Sequence, residues 1–278
     1  MRAYLGVIPS EETEHIREVF TELYNTPPKL VSIDTETVSL KDRSVVGVGF
    51  ATLDGHGFYL SIDEPEFPFH WLTIPEMTRV FHNAAFDCGK DVLYRYGVDI
   101  TNLQDTALLM RLMNKPADLA VMGTETRWRP KDMGAVLKEH GAKSTLDLPP
   151  TVLAMKCLED VLATMELYTK YRDQVFSQEY YQTEVDVQKL LLRMSWRGIK
   201  LDKPLVEAID KELETNVKLY TSTAEARGFN PLSPRQVAIT LMDHGASVPW
   251  VRSSTTGYGR PDTSEEALSL IEHPYAQL

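Results

Sequence analysis

The sequence predicts an α/β protein: a mixed central sheet flanked by helices, followed by a smaller helical unit. Three observations carry that expectation. Three strand-like runs follow one another between residues 29 and 62. A strand–helix alternation comes next, and beyond about residue 178 every periodic segment has helical spacing. With 278 residues, the chain is long enough for two cores.

The elements follow in order. Ile16, Val19, Phe20 and Leu23 recur at helical spacing, with Ser10 as the expected N-cap and Pro27-Pro28 as the stop. Residues 29–36, 44–53 and 57–62 alternate as strands, and Asp54-Gly55-His56 joins the last two as a hairpin. Residues 78–83 read as a strand and 85–97 as one helix closed by Gly97. A short helix is expected near 132–140 and a long one from 151 to about 176. The next spans Glu184–Trp196 and stops at Gly198. Pro204 to Ala226 then carries an apolar stripe of Leu205, Ile209, Leu213 and Val217. Ser233-Pro234 with Gln236 opens a further helix, and Thr263 with Glu266 repeats the capping-box spacing. These patterns place the domain boundary near 178, giving domains 1–178 and 179–278.

The net charge of −11 argues against a surface coated for non-specific nucleic-acid binding. It does not exclude nucleic acid as a substrate, because a site of carboxylates and cations adds formal negative charge while the cations reverse the local field. No apolar run approaches the ~18 residues of a membrane span. Cys88 and Cys157 fit no paired metal or disulfide spacing and read as reduced thiols of a cytoplasmic protein.

Three short segments carry candidate chemistry. Asp34 and Glu36 end an apolar strand, and a period of two puts both on one face. Two adjacent carboxylates repel unless a cation or a proton lies between them. Oxygen-only ligation of this kind suits Mg²⁺ or Mn²⁺, whereas two solvated acids are the plainer reading. Asp87 lies at a strand–helix junction after His82 and Asn83, where a carboxylate also serves as a simple helix-terminal charge. Asp160 sits inside the long helix, with Lys156 and Thr164 on its face.

Taken in order, Asp34-Thr35-Glu36-Thr37, then Asn83 to Phe86-Asp87, then Glu159-Asp160 to Thr164, resemble the DEDD exonuclease superfamily. They resemble most the proofreading domain of family-A DNA polymerases. Asp105-Thr106 with Leu108, Leu109 and Leu112 matches the same subfamily. The resemblance continues through residues 184–202, through the thumb-like motif in 228–245 and through 253–274. The chain stops at Leu278, before palm and fingers would begin, so no polymerisation is expected of it alone.

The resemblance implies a ribonuclease H-like fold and 3′→5′ removal of nucleotides from DNA by two ions, Mg²⁺ or Mn²⁺, ~3.5–4 Å apart. It implies Asp34, Glu36, Asp87 and Asp160 as ligands, and Thr35, Thr37, Asn83 and Phe86 as contacts to the terminal nucleotide. The implied partners are a single-stranded DNA 3′ end and a separate polymerase subunit supplying palm and fingers; no membrane is implied. One position departs. Lys156 stands where the subfamily has a water-orienting Tyr, and a protonated Lys donates but does not accept. It is expected to pair with Asp160 or to touch a phosphate. A second reading follows, in which the module is catalytically weak or silent and binds DNA or docks a polymerase. Without palm and fingers to pack on, residues 245–278 are expected to show exposed apolar surface or disorder, or to be covered by a partner.

Overall fold

The computed structural model describes residues 4–5, 13–63, 67–252, 258–273 and 275–276. The expected cap Ser10 and residues 253–257 of the last motif lie outside them. The chain divides into two compact units, Met1–Gly198 and Ile199–Leu278.

The first unit runs β1 (Tyr4–Leu5), α1 (Thr13–Asn25), β2 (Leu30–Thr37), β3 (Val45–Ala51), β4 (Gly57–Ser61), α2 (Phe69–Thr73), β5 (Thr78–Phe81), α3 (Ala84–Asp87), β6 (Leu103–Asp105), α4 (Thr106–Leu112), α5 (Leu119–Met122), α6 (Met133–Glu139), α7 (Pro150–Tyr171) and α8 (Gln178–Arg197). The strands form one mixed sheet in the order β1-β4-β3-β2-β5-β6. The pairs on the β1 side of β2 are antiparallel, and β2-β5 and β5-β6 are parallel. The β3–β4 hairpin pairs Ala51 with Gly57 and turns at Gly55, whose φ of 85° suits glycine. The central strand β2 sends Val31 and Ile33 into the core with Phe20, Phe50, Phe58 and Trp71.

α7 lies across the sheet, and its close approach depends on glycine. A Cβ at Gly49 would meet Cys157 Sγ at 2.8 Å and Val161 Cγ1 at 3.0 Å. Ser32 Oγ donates to Val161 O at 2.7 Å, tying β2 to the same helix. Gly49→Ala is therefore expected to lift α7 and to lower unfolding free energy by about 1–3 kcal/mol, the usual cost of overpacking. Urea denaturation measures it, and an unchanged midpoint would contradict this view of the contact.

Two expectations are corrected here. Residues 85–97 are not one helix: α3 ends at Asp87, and a 3₁₀ turn follows at Leu93–Tyr96, closed by left-handed Gly97. The chain bends at Gly89, buries Cys88, Val92 and Leu93 fully, and leaves the helical path. By packing, the division of the chain falls at Gly198 and not near 178. α8 starts at its cap Ser177, buries Tyr181, Val185 and Leu192 in the main core, and donates from Trp196 Nε1 to Cys88 O at 2.7 Å.

The second unit holds α9 (Lys203–Ala226), α10 (Pro234–Asp243), the β7 (Trp250–Arg252) and β8 (Gly259–Pro261) hairpin and α11 (Glu265–Ser269). Its core gathers Ala224, Phe229, Val237, Leu241, Val248 and Ile271. Ser233 caps α10 as expected, whereas α11 is capped by Ser264 and not Thr263. The α9 stripe of Leu205, Ile209, Leu213 and Val217 is exposed, as are Trp250, Tyr258 and Leu270. No helix among the described residues is long and apolar enough to cross a membrane.

Candidate metal centre

Strand period puts Ser32, Asp34 and Glu36 on the face that meets α7. A register shift between Glu36 and Thr37 bends β2 just as the acids are presented. Oxygens of Asp34 and Glu36 and the Cys157 sulfur lie within 4.8 Å of one another. From α7, Lys156 Nζ reaches Glu36 Oε1 at 3.4 Å and forms an ion pair with Asp160. From α3, Asp87 comes close enough to Asp34 for their charges to oppose each other. Asp34 and Glu36 of β2 thus form the tight group with Cys157, Asp160 of α7 joins it through Lys156, and Asp87 of α3 reaches it by its field on Asp34 and its bonds to Thr35. Glu36, Asp87 and Asp160 are all buried.

Burial dominates the electrostatics. It pushes the Asp34, Glu36 and Asp160 carboxyls each up to about 7, against the pull of Lys156. Asp87 is raised well above the carboxylate range by burial and then by Asp34. Lys156 is held well above its usual value, because Glu36, Asp160 and Asp34 together overcome its own burial. Cys157 is raised by burial, so it stays a thiol and donates to Asp34 Oδ2 at 3.6 Å. Glu36 Oε1 is buried without a hydrogen bond.

The remaining expected residues surround this cage differently. Thr35 gives both its N–H (3.0 Å) and its hydroxyl (2.7 Å) to Asp87 Oδ1, so it orients that carboxylate. Thr37 is buried at the end of β2, its hydroxyl near Ser39 O at 3.4 Å. Asn83 is exposed and adopts a left-handed φ of 70°. Phe86 is half-buried, with the Arg43 guanidinium 5.3 Å from its ring centre. His82 is engaged at both ring nitrogens, by Thr106 Oγ1 at 2.8 Å and Ala117 O at 3.0 Å, and burial lowers its pKa. Trp128 packs on Ala51, Val161, Leu162 and Met165, which anchors its basic loop.

Two residues do more here than the sequence suggests, which marks Cys157 only as a reduced thiol and Asp105 only as a match to the subfamily. Cys157 lies three before Asp160 on the same helix face, a spacing that was there to read. Asp105 is the other. As N-cap of α4 it accepts from Ala107 N and Leu108 N, and it also accepts from Asn83 N (3.0 Å), Ala84 N (2.8 Å) and Gln188 Nε2. It pins the junction that delivers Asp87. Asp105→Ala leaves buried N–H groups unpaired and is expected to cost about 2–4 kcal/mol. Chemical denaturation checks this, with Asp105→Asn expected to recover part of the loss.

No family model matches the chain. DNA polymerase I of Synechocystis is 26% identical over 211 residues, covering 70% of this chain and 21% of that protein. The DNA polymerase of Escherichia phage T5 is 25% identical over 97% of this chain and 36% of that one. The Escherichia coli exoribonuclease RNase D superposes with a TM-score of 0.50 at 16% identity, over 67% of this chain and 50% of that one. The first unit has the mixed α/β, ribonuclease H-like fold that RNase D also has. The exonuclease-fold unit belongs to a chain that spans about a fifth to a third of the curated relatives' length.

Proposed function

We propose that the chain is a metal-dependent nuclease that removes nucleotides from the 3′ end of DNA, with residues after Gly198 serving as a thumb-like region. What supports this reading is the pairing of Asp34 and Glu36 oxygens within 4.8 Å, with Asp160 held to Glu36 through Lys156 and Asp87 near enough to oppose the Asp34 charge. The donor set fits Mg²⁺ or Mn²⁺: the groups are carboxylate oxygens, the adjoining sulfur stays protonated, and Glu36 Oε1 has no hydrogen bond. A bound divalent ion would supply a water of lowered pKa and positive charge for the phosphate and the departing 3′ oxygen. The chain's own part is placement. Thr35 fixes Asp87, and Asp105 fixes the turn before it. Asn83 and Phe86, partly open to solvent on that turn, and Thr37 at the strand end are assigned to the terminal nucleotide, Phe86 as a stacking surface. The DNA polymerase relatives favour DNA over RNA as the substrate.

Lys156 favours a second reading, because an ammonium already neutralises Glu36 and Asp160. A module of that kind binds a strand without cutting it. The test is incubation of 3′-labelled single-stranded DNA, and of a matching RNA, with Mg²⁺ or Mn²⁺ beside an Asp34→Ala control. Stepwise shortening of DNA by the wild-type chain alone supports the exonuclease. Preference for RNA would reassign the substrate. Intact strands in every lane would leave the binding module.

A further inference from the structure

Lys156 sits where a cation belongs. Its side chain is 13% exposed, its Nζ lies 3.4 Å from Glu36 Oε1, and it pairs with Asp160. The field of Asp34 adds to the attraction. The same oxygens are the ones a divalent ion must bind, and an ammonium supplies charge but no ligand atom. Ammonium and ion cannot both hold Glu36 Oε1 and Asp160 Oδ2, and in so buried a cage the repulsion between them is poorly screened.

A second seat for the ammonium is at hand. Beside Lys156, a groove is lined by Lys131, Glu139, His140, Met155 and Glu159, with Glu139 already paired to Lys131 at 2.9 Å. Glu159, next in sequence to Asp160, feels the Lys131 charge first and the Lys156 charge second, and it is the carboxylate there that makes no ion pair among the described residues. A long flexible stem lets Nζ swing from the cage to this groove without moving α7.

We propose that Lys156 is a built-in counter-ion, which competes with the divalent metal for Glu36 and Asp160 and leaves the cage when the metal enters. The inference rests on the metal-centre reading above and adds a regulating element to it. Without metal, the ammonium holds the clustered acids together. With metal, it sets the concentration at which the site fills.

The test is calorimetric titration of Mn²⁺ alone into the full chain. Lys156→Met is expected to bind Mn²⁺ at least about tenfold more tightly than the wild type, since a buried competing charge is gone. Lys156→Arg, which keeps the charge, is expected to show no such gain. Lys156→Gln serves in place of the Met variant if thermal melting shows that one to be unfolded. Binding by the Met and Gln variants at or below wild-type affinity would overturn the counter-ion role and leave the metal centre standing. Absence of Mn²⁺ binding in folded wild type and variants alike, with Asp34→Asn making no difference, would overturn both.

Discussion

Asp34→Ala is expected to slow removal of 3′ nucleotides by roughly 10³-fold or more while leaving the fold intact. Asp34 is the carboxylate whose charge reaches Asp87, Asp160 and Glu36 alike. A ligand shared between ions, the role proposed for Asp34, would account for several kcal/mol of transition-state stabilisation, and each 1.36 kcal/mol is a factor of ten in rate. The fold does not need the side chain: it is only partly buried, and its partners are acids, a thiol and Lys156. Removing it relieves like-charge repulsion, so the melting temperature without metal should hold or rise. Labelled-strand assays and melting curves together check the expectation. A variant cutting within about tenfold of the wild type would remove Asp34 from the centre of the mechanism.

The second large effect concerns pH. Asp34, Glu36 and Asp160 keep their protons in the folded state up to about 7, whereas an unfolded chain releases them near 4. Between those limits the folded state binds more protons than the unfolded one, so stability falls as pH rises through the window. Asp87, raised well above the carboxylate range, adds to the fall in the same sense. Glu125 works in the opposite sense. Its carboxyl, lowered to about 2 by Tyr171 and Lys170, loses its contribution only below the unfolded value, outside this window. The metal-free protein is therefore expected to be less stable at pH 8 than at pH 5, by an amount on the order of a few kcal/mol. On the proposed metal-centre reading Mg²⁺ would bind the ionised acids, so it should restore stability at pH 8 and do little at pH 5. Urea midpoints at both pH values, with EDTA and with Mg²⁺, read the effect. A metal-free protein that gains stability from pH 5 to pH 8 would refute it.

Much of this was legible in the amino-acid order. The alternation through Leu30–Thr37 placed Asp34 and Glu36 on one face, and the fourfold helix spacing placed Lys156 with Asp160. Gly55 marked the hairpin, and Ser233 caps its helix through the N–H of Gln236, three residues on. Each of these depends on atoms within a few residues, which is why local pattern suffices. The segment after Asp87 misled because Cys88, Val92 and Leu93 have helical spacing, yet the chain turns at Gly89 to bury all three. α8 misled in another way: a long, polar-faced helix reads as independent until Trp196 is seen bonded to Cys88 O.

What the sequence determined by itself is the set of acids, the elements that carry them and their order. What only the tertiary structure decided is the cage. Thr35 orients Asp87 from 52 residues away, Ser32 holds α7 from 129 away, and Gly49 leaves the space that lets Cys157 and Lys156 come down on Asp34 and Glu36. Spacing along a strand or helix fixes which residues share a face, but contact between faces depends on how closely two elements pack, and that is set by side chains far apart in the chain.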